Sequence, residues 1–357
     1  MEQKKKVLVG MSGGVDSSVS AALLIEQGYD VTGGFIKNWS DSKDLWTGEC
    51  QWRGERRDAL RVAAKLGIPL LTFDFESAYR ERVVNDLFRG YEAGETPNPD
   101  VLCNEAIKFG LFFEEAMRLG FDYIAMGHYA RVERDGNSAK LLRGLDSDKD
   151  QSYFLYRVSQ NVLRRTLLPI GEFKKADVRE KARAFDLPVA DKPDSQGICF
   201  IGKLDMAEFL RKKIPSKPGE IVDPEGNVLG QHEGLDAYTI GQRQGIKISE
   251  GGHAWYVAKK DLDANRLVIV PNDEHPLLYA SELTLHDLHW TRGEALSVPF
   301  DLEVQARYRQ VPVKATLERF EDGIVYLQLK EPIKAAAAGQ SAVLYLGEEC
   351  LGGGIIR

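Results

Sequence analysis

The string Ser12-Gly13-Gly14-Val15-Asp16-Ser17 is the part of this 357-residue chain best equipped for chemistry. It lies between the apolar run Val7-Leu8-Val9, which reads as a short buried parallel strand, and a stretch where Val15, Val19, Ala22 and Leu23 share one helical face. A glycine pair at such a strand-to-helix turn leaves the first helical amides unpaired at the positive end of the dipole. Two residues without Cβ also let a phosphate chain come close, so the expected role of the loop is an anion cradle. A glycine turn needed only for tight packing would look similar, with Asp16 and Ser17 as ordinary first-turn residues. No lysine follows the glycines and no Gly-x-Gly-x-x-Gly is present, so the loop is neither a Walker A loop nor a dinucleotide fingerprint.

Two cysteines sit where they could react. In TPNPDVLCN, residues 96–104, two prolines force an extended approach, Asp100 is placed to cap the helix that follows, and Cys103 falls at the third helical position. A thiol there has its thiolate favoured by the helix dipole; a cysteine that only packs, beneath an aspartate that only caps, fits the same residues. Cys199 lies in DSQGICFIG, residues 194–202, a strand-like segment between glycines where a core cysteine is the default. Cys50 and Cys350 read as structural. Four cysteines with no Cys-x-x-Cys or His-x-x-x-His spacing make neither a disulfide framework nor a zinc site.

The elements that must position these groups alternate along the first half. Segments 31–36, 70–73 and 123–126 read as strands, and 56–66, 78–91 and 105–119 as amphipathic helices. That alternation predicts a doubly wound parallel sheet with its ligand at the carboxyl ends of the strands. After about Gly202 a helix-like stretch, 203–215, leads into short strands punctuated by Pro and Gly. From about Pro271 alternating segments suggest a small β-barrel. The expected division is 1–203, 204–271 and 272–357, consistent with a length beyond a single core.

A net charge of −7 argues against indiscriminate binding to nucleic acid while leaving local basic surface open. Clusters such as Lys174-Lys175 and Arg307-Tyr308-Arg309 read one by one as solvated faces. With MEQKKK running straight into the first strand and no apolar stretch of membrane-spanning length, the expectation is a cytoplasmic protein without membrane contact.

The glycine loop resembles the PP-loop of ATP pyrophosphatases, which split ATP between its α and β phosphates. Together with TPNPDVLCN, Gly127-His-Tyr-Ala-Arg131, LLRGLDSDKDQSYFL (141–155), DSQGICFIG, YTIGQRQG (238–245), Arg307-Tyr308-Arg309, Gly339-Gln-Ser-Ala342 and the tail CLGGGII, it resembles the tRNA-uridine 2-sulfurtransferase family nearly end to end. The resemblance implies a Rossmann-like PP-loop domain, a small central domain and a C-terminal β-barrel. It also implies ATP and Mg2+ as cofactors and thiolation of the wobble uridine of tRNAs for Lys, Glu and Gln. By the same resemblance Cys199 carries sulfur as a persulfide, Cys103 releases it and ends in a disulfide with Cys199, and Asp100 is the acid/base group. Gly10, Met11, Ser12, Gly13, Gly14, Val15, Asp16, Ser17, Ile36 and Gly127 would contact ATP, with Asp16 near magnesium. Asn98, Pro99 and Asp100 would meet the target base, while His128, Lys149, Asp150, Gln151, Arg307, Tyr308 and Gln340 would hold the tRNA. The sulfur donor would be a cysteine desulfurase or a relay carrier protein. The alternatives are an amide-forming PP-loop ligase, which needs no cysteine pair, and a noncatalytic tRNA-binding protein, which needs no intact loop.

Overall fold

The computed structural model describes residues 4–40, 50–194, 206–211, 213–246, 248 and 254–357. Cys199 and the rest of the 195–205 segment lie outside the described residues.

The first strand, β1 (Lys6–Gly10), is buried along Val7, Leu8 and Val9 and is followed by β2 (Asp30–Lys37), β3 (Leu70–Asp74) and β4 (Tyr123–Ala125). A hairpin of β5 (Ala130–Asp135) and β6 (Ser138–Arg143) comes next, then β7 (Thr166–Leu167). The sheet runs β3-β2-β1-β4-β7, and all its pairs are parallel. The chain builds outward from β1 first on one side and then on the other, so β1 ends at the topological switch point, where α/β sheets bind ligands. The strands and helices expected at 31–36, 70–73, 123–126, 56–66, 78–91 and 105–119 are present within a few residues of those bounds.

Two apolar layers cover the sheet. Val7, Val9, Val19, Phe35 and Val62 pack on one face with helix Val15–Glu26 and helix Gln51–Leu66. Leu8, Ile36, Tyr79, Cys103, Phe109 and Phe112 pack on the other, beneath helical runs 76–92 and 99–118. Within the second run the pitch widens to i→i+5 over Asn104–Leu111, directly after Cys103. Local widening of this kind is frequent near functional sites.

The central unit pairs β8 (Gly219–Val222), β9 (Val228–His232), β10 (Tyr256–Asp261) and β11 (Arg266–Val270) in the order β10-β11-β8-β9, over a core of Ile221, Val257, Leu267 and Ile269. The last unit holds six antiparallel strands, β12 (Tyr279–Trp290), β13 (Phe300–Gln305), β14 (Val313–Glu321), β15 (Ile324–Lys334), β16 (Ser341–Leu346) and β17 (Glu349–Ile356). Pairing of β12 with β17 closes them into a barrel, which removes the open edges. The barrel is stitched to the first unit: β17 also pairs with β6, Glu349 opposite Leu142 and Cys350 opposite Leu141. Among the described residues no helix is long and apolar enough to cross a membrane.

Candidate active site

Gly10 closes β1, buried Met11 follows, and the helix starts at Val15 with Gly14 as its N-cap in extended conformation. Glycine has no side chain with which to cap, so the first helical amides stay available to an anion. The loop is braced by Ser12 and Ser17, whose hydroxyls lie 3.2 Å apart, and by Ser18 Oγ, which donates to the Gly14 carbonyl at 2.6 Å. Gly13 has φ +72°, and a Cβ there would stand 2.3 Å from the Glu55 carbonyl oxygen. A Cβ on Gly127 would stand 2.7 Å from the Ser17 amide nitrogen, so the end of β4 touches the first helical turn only because position 127 is glycine.

Around this loop the fold assembles charges that the sequence scatters. Lys175 Nζ donates to both carboxylate oxygens of Asp16, at 2.7 and 2.8 Å, and pairs with Asp194 at 2.9 Å. Tyr129 donates its hydroxyl to Asp16 at 2.8 Å, and burial together with Asp16 pushes that phenol far above its usual range, keeping it a donor. Asp194 also receives Arg179 at 2.6 Å and Lys149 at 3.0 Å. Burial alone would raise the Asp194 carboxyl; the hydrogen bonds from Lys175 and Lys149 outweigh it and hold it at about 2. On the other flank Lys192 donates to the Gly13 carbonyl at 3.0 Å and to Asp58 at 2.7 Å. Four cations thus stand around an amide-lined loop, an arrangement suited to a polyphosphate. Sequence reasoning missed Lys175, Arg179, Lys192, Asp194 and Tyr129 as site residues. Lys174-Lys175, read as a solvated pair, contains a lysine whose side chain is only 13% exposed.

Glu55 flanks the same loop. Burial pushes its carboxyl up to about 7, with Lys192 pulling against that and Asp58 adding to it. The folded value lies above the ordinary 4.5, so the folded protein holds an extra proton; that stabilisation is complete below about 4.5 and is lost as pH rises through about 7. Glu55→Gln is therefore expected to melt above the unsubstituted protein at pH 8, by roughly 2 kcal/mol allowing for partial exposure, and close to it at pH 5. Thermal denaturation at the two pH values checks this; an equal margin at both would contradict it.

The cysteine helix begins differently from expectation. Asn98, not Asp100, is the N-cap: its side chain accepts from the amides of Asp100 at 3.1 Å and Val101 at 3.3 Å. Pro99, with its fixed φ and no amide hydrogen, suits the first helical position and keeps Asn98 extended. Asp100 therefore stands second and Cys103 fifth rather than third, so less of the dipole's benefit reaches the sulfur. Cys103 is fully buried.

The residues expected to hold tRNA fall into two groups. His128 is buried beside Phe109, ring centroids 5.7 Å apart, and burial with Lys108 nearby drives its pKa well below the usual value, leaving it neutral. Asp150 organises its own turn, accepting from Arg143, the Gly144 amide and Ser152, while Gln151 exchanges hydrogen bonds with the Tyr129 backbone. Gln340 donates to the Thr96 carbonyl, tying the barrel to the approach of the cysteine helix. Arg307 is exposed, and Tyr308 beside it packs on Phe154 at 4.3 Å. Ile36 lies buried near the end of β2 on the face shared with Cys103.

A parallel sheet that delivers a Ser-Gly-Gly-x-Asp-Ser loop to its switch point, ringed by cations, defines a PP-loop nucleotide-binding protein. The chain matches the profile of a tRNA methyl transferase HUP domain over residues 5–203, a tRNA methyl transferase PRC-barrel domain over 207–271 and an aminomethyltransferase beta-barrel domain over 280–356. It is 49% identical to a tRNA-specific 2-thiouridylase MnmA of Ralstonia pickettii (strain 12J), over 99% of this chain and 96% of that protein. With the protein of the same name from Bacillus subtilis (strain 168) it shares 45% identity over 98% and 94%. The chain belongs to the tRNA-specific 2-thiouridylase family.

Proposed function

We propose that this protein is a tRNA-uridine 2-sulfurtransferase that activates the C2 oxygen of the wobble uridine in tRNAs for Lys, Glu and Gln with ATP and replaces that oxygen with sulfur. The observation that carries the reading is the amide-lined loop backed by Lys175 at the switch point of a sheet whose neighbouring face buries Cys103. The names of its relatives supply the substrate. We assign residues 1–203 to catalysis, 204–271 to the central domain and 272–357 to the barrel.

The C2 oxygen belongs to a urea-like carbonyl and leaves poorly. Its attack on the α-phosphate forms an O–P bond and expels pyrophosphate, whose charge the amides of Gly13–Ser17 and the four surrounding cations would take up. Oxygen can then depart as AMP. Gly10 to Ser17, Ile36 and Gly127 are the proposed ATP contacts. Asp16 fits a magnesium ion carried in by the nucleotide: it is the carboxylate within the loop itself, and magnesium is commonly held by one or two carboxylates with phosphate oxygens. Among the described residues no cluster of three His, Cys, Asp or Glu could hold a metal unaided. When bound, magnesium would neutralise phosphate charge.

Sulfur arrives as a persulfide on Cys199, loaded by a cysteine desulfurase or a relay carrier protein. Either Cys103 attacks the Cys199 sulfur and frees hydrosulfide, which then displaces AMP, or the terminal persulfide sulfur attacks C2 first and Cys103 cleaves the S–S bond afterwards. Both routes leave a Cys103–Cys199 disulfide that an external thiol must reduce. Asp100, three residues before Cys103, is the proposed acid/base group, with Asn98 and Pro99 against the base. Lys149, Arg307, Tyr308 and Gln340 would support the RNA, with His128, Asp150 and Gln151 completing that set. Purified protein incubated with transcript, ATP, magnesium and a persulfide donor, a cysteine desulfurase supplied with sulfur-labelled cysteine, should yield labelled 2-thiouridine at the wobble position. Unlabelled RNA, with loop and cysteines intact, would refute the reading.

A further inference from the structure

Among the described residues, the buried side-chain atoms that lack a hydrogen-bond partner include both amide atoms of Asn38, Oδ1 of Asn104 and Nδ1 of His128. Asn38 is 1% exposed, Asn104 2% and His128 9%. A buried amide with neither its donor nor its acceptor satisfied is costly, and native folds rarely keep one without a use. Asn38 directly follows β2 and His128 lies just past β4, so the two flank β1 and its loop. Asn104 follows Cys103, and its Nδ2 already donates to the Phe154 carbonyl at 3.1 Å. Ile36 and Trp39, on either side of Asn38 in sequence, belong to the core cluster of Cys103 and Phe109, the ring that His128 packs against. Asn38 and His128 thus stand past the carboxyl ends of the two strands that flank β1, on the side of the sheet where the glycine loop emerges.

We propose that Asn38 reads the target uracil, accepting from N3–H with its amide oxygen and donating to O4 with its amide nitrogen. This rests on the thiolation reading above. An amide with both atoms unpaired needs a ligand offering an adjacent donor and acceptor. Uracil offers O2 with N3–H or O4 with N3–H, and O2 must stay open toward the α-phosphate. The O4 edge is what remains. His128, kept neutral by its burial, presents a ring nitrogen rather than a charge to the same base. The amino group of adenine with its neighbouring ring nitrogen would also satisfy Asn38, and the experiment separates the two.

Asn38→Leu is nearly isosteric and removes both unpaired atoms. The substituted free protein is expected to melt at or above the temperature of the unsubstituted one, because an unsatisfied group has been replaced by an apolar one. Its kcat/KM for tRNA should fall about 100-fold, while its Kd for a nonhydrolysable ATP analogue stays within about twofold. Asn38→Ser, which keeps one hydrogen-bonding group, should lose roughly tenfold and serves if the leucine protein fails to fold. Unchanged tRNA kinetics would overturn the assignment. So would weakened binding of the ATP analogue, which would make Asn38 an adenine contact, or a lowered melting temperature in both variants with activity lost only in proportion to folded protein. An unsubstituted protein inactive on the same transcript would strike at the function itself; an active one beside an unimpaired Asn38→Leu strikes only at Asn38.

Discussion

Replacing Lys175 by alanine is expected to slow tRNA-dependent pyrophosphate release by roughly 100- to 1,000-fold, the effect typical of removing a group aimed at developing phosphate charge. The ammonium is largely buried and divides its hydrogen bonds between Asp16 and Asp194. Asp194 in turn collects Lys149, Lys175 and Arg179. A carboxylate with three cations is electrostatically a substitute for a phosphate, and an incoming triphosphate draws on the same donors. Lys175 can exchange one anion for the other with little change in its own solvation, so it is preorganised for the leaving group. Its loss would also leave Asp16 and Asp194 facing each other with less compensation, a destabilising change in a half-buried site. Rates should therefore be taken under single turnover and normalised to folded protein by thermal melts. Lys175→Arg keeps the charge but not the compact ammonium, and recovery to within about tenfold is expected. A Lys175→Ala protein that releases pyrophosphate within threefold of the unsubstituted rate would remove Lys175 from the phosphate site.

Lys175 also marks where the sequence stops being legible. The loop, the parallel alternation and the cysteine helix are local: each is written in a run of ten to twenty residues whose period or punctuation has one physical meaning. The Asp16–Lys175 pair joins residues 159 apart, and Lys192 reaches Gly13 across 179. No spacing rule connects such positions before the sheet order is known. One local sign was available: Lys174 and Lys175 open a helix, where positive charge opposes the dipole. A broken local rule is often the mark of a functional site, and here it reports a lysine turned toward Asp16 in the glycine loop. The misplaced cap has a similar lesson. Asp100 is a good capping residue, but Pro99 fits the first helical position so well that the cap falls to Asn98. The docking of the β5–β6 hairpin on the barrel was unreadable for another reason, since β17 is more than 200 residues from β6 and neither edge signals the other. The unpaired Asn38 could not be seen at all, because an orphaned atom is a property of the folded surroundings.

Serine substitution of Cys103 or Cys199 is expected to cut 2-thiouridine formation by about 1,000-fold or more, with the double variant no worse than either single one, because residues acting as a unit lose their joint effect together. Pyrophosphate release in the first turnover should remain within a few fold, since adenylation needs the loop and not the thiols. That split separates sulfur transfer from amide-forming ligation, in which neither cysteine would matter, and from a noncatalytic tRNA-binding protein, which would release no pyrophosphate. Full burial of Cys103 adds a constraint: its sulfur is shielded from bulk oxidants, so the partner that reacts with it must be delivered by the chain itself. One turnover without reductant should therefore lower the protein mass by two hydrogens, and peptide mapping should find Cys103 joined to Cys199. The other cysteines are poor competitors. Burial pushes the Cys350 thiol up to about 12, and Cys50 donates its S–H to the Ser40 carbonyl at 3.1 Å. Cys350→Ser should thus leave thiolation unchanged. A turnover-dependent bridge involving Cys50 or Cys350, or a Cys103→Ser protein that still thiolates at the unsubstituted rate, would take sulfur delivery away from the Cys103–Cys199 pair.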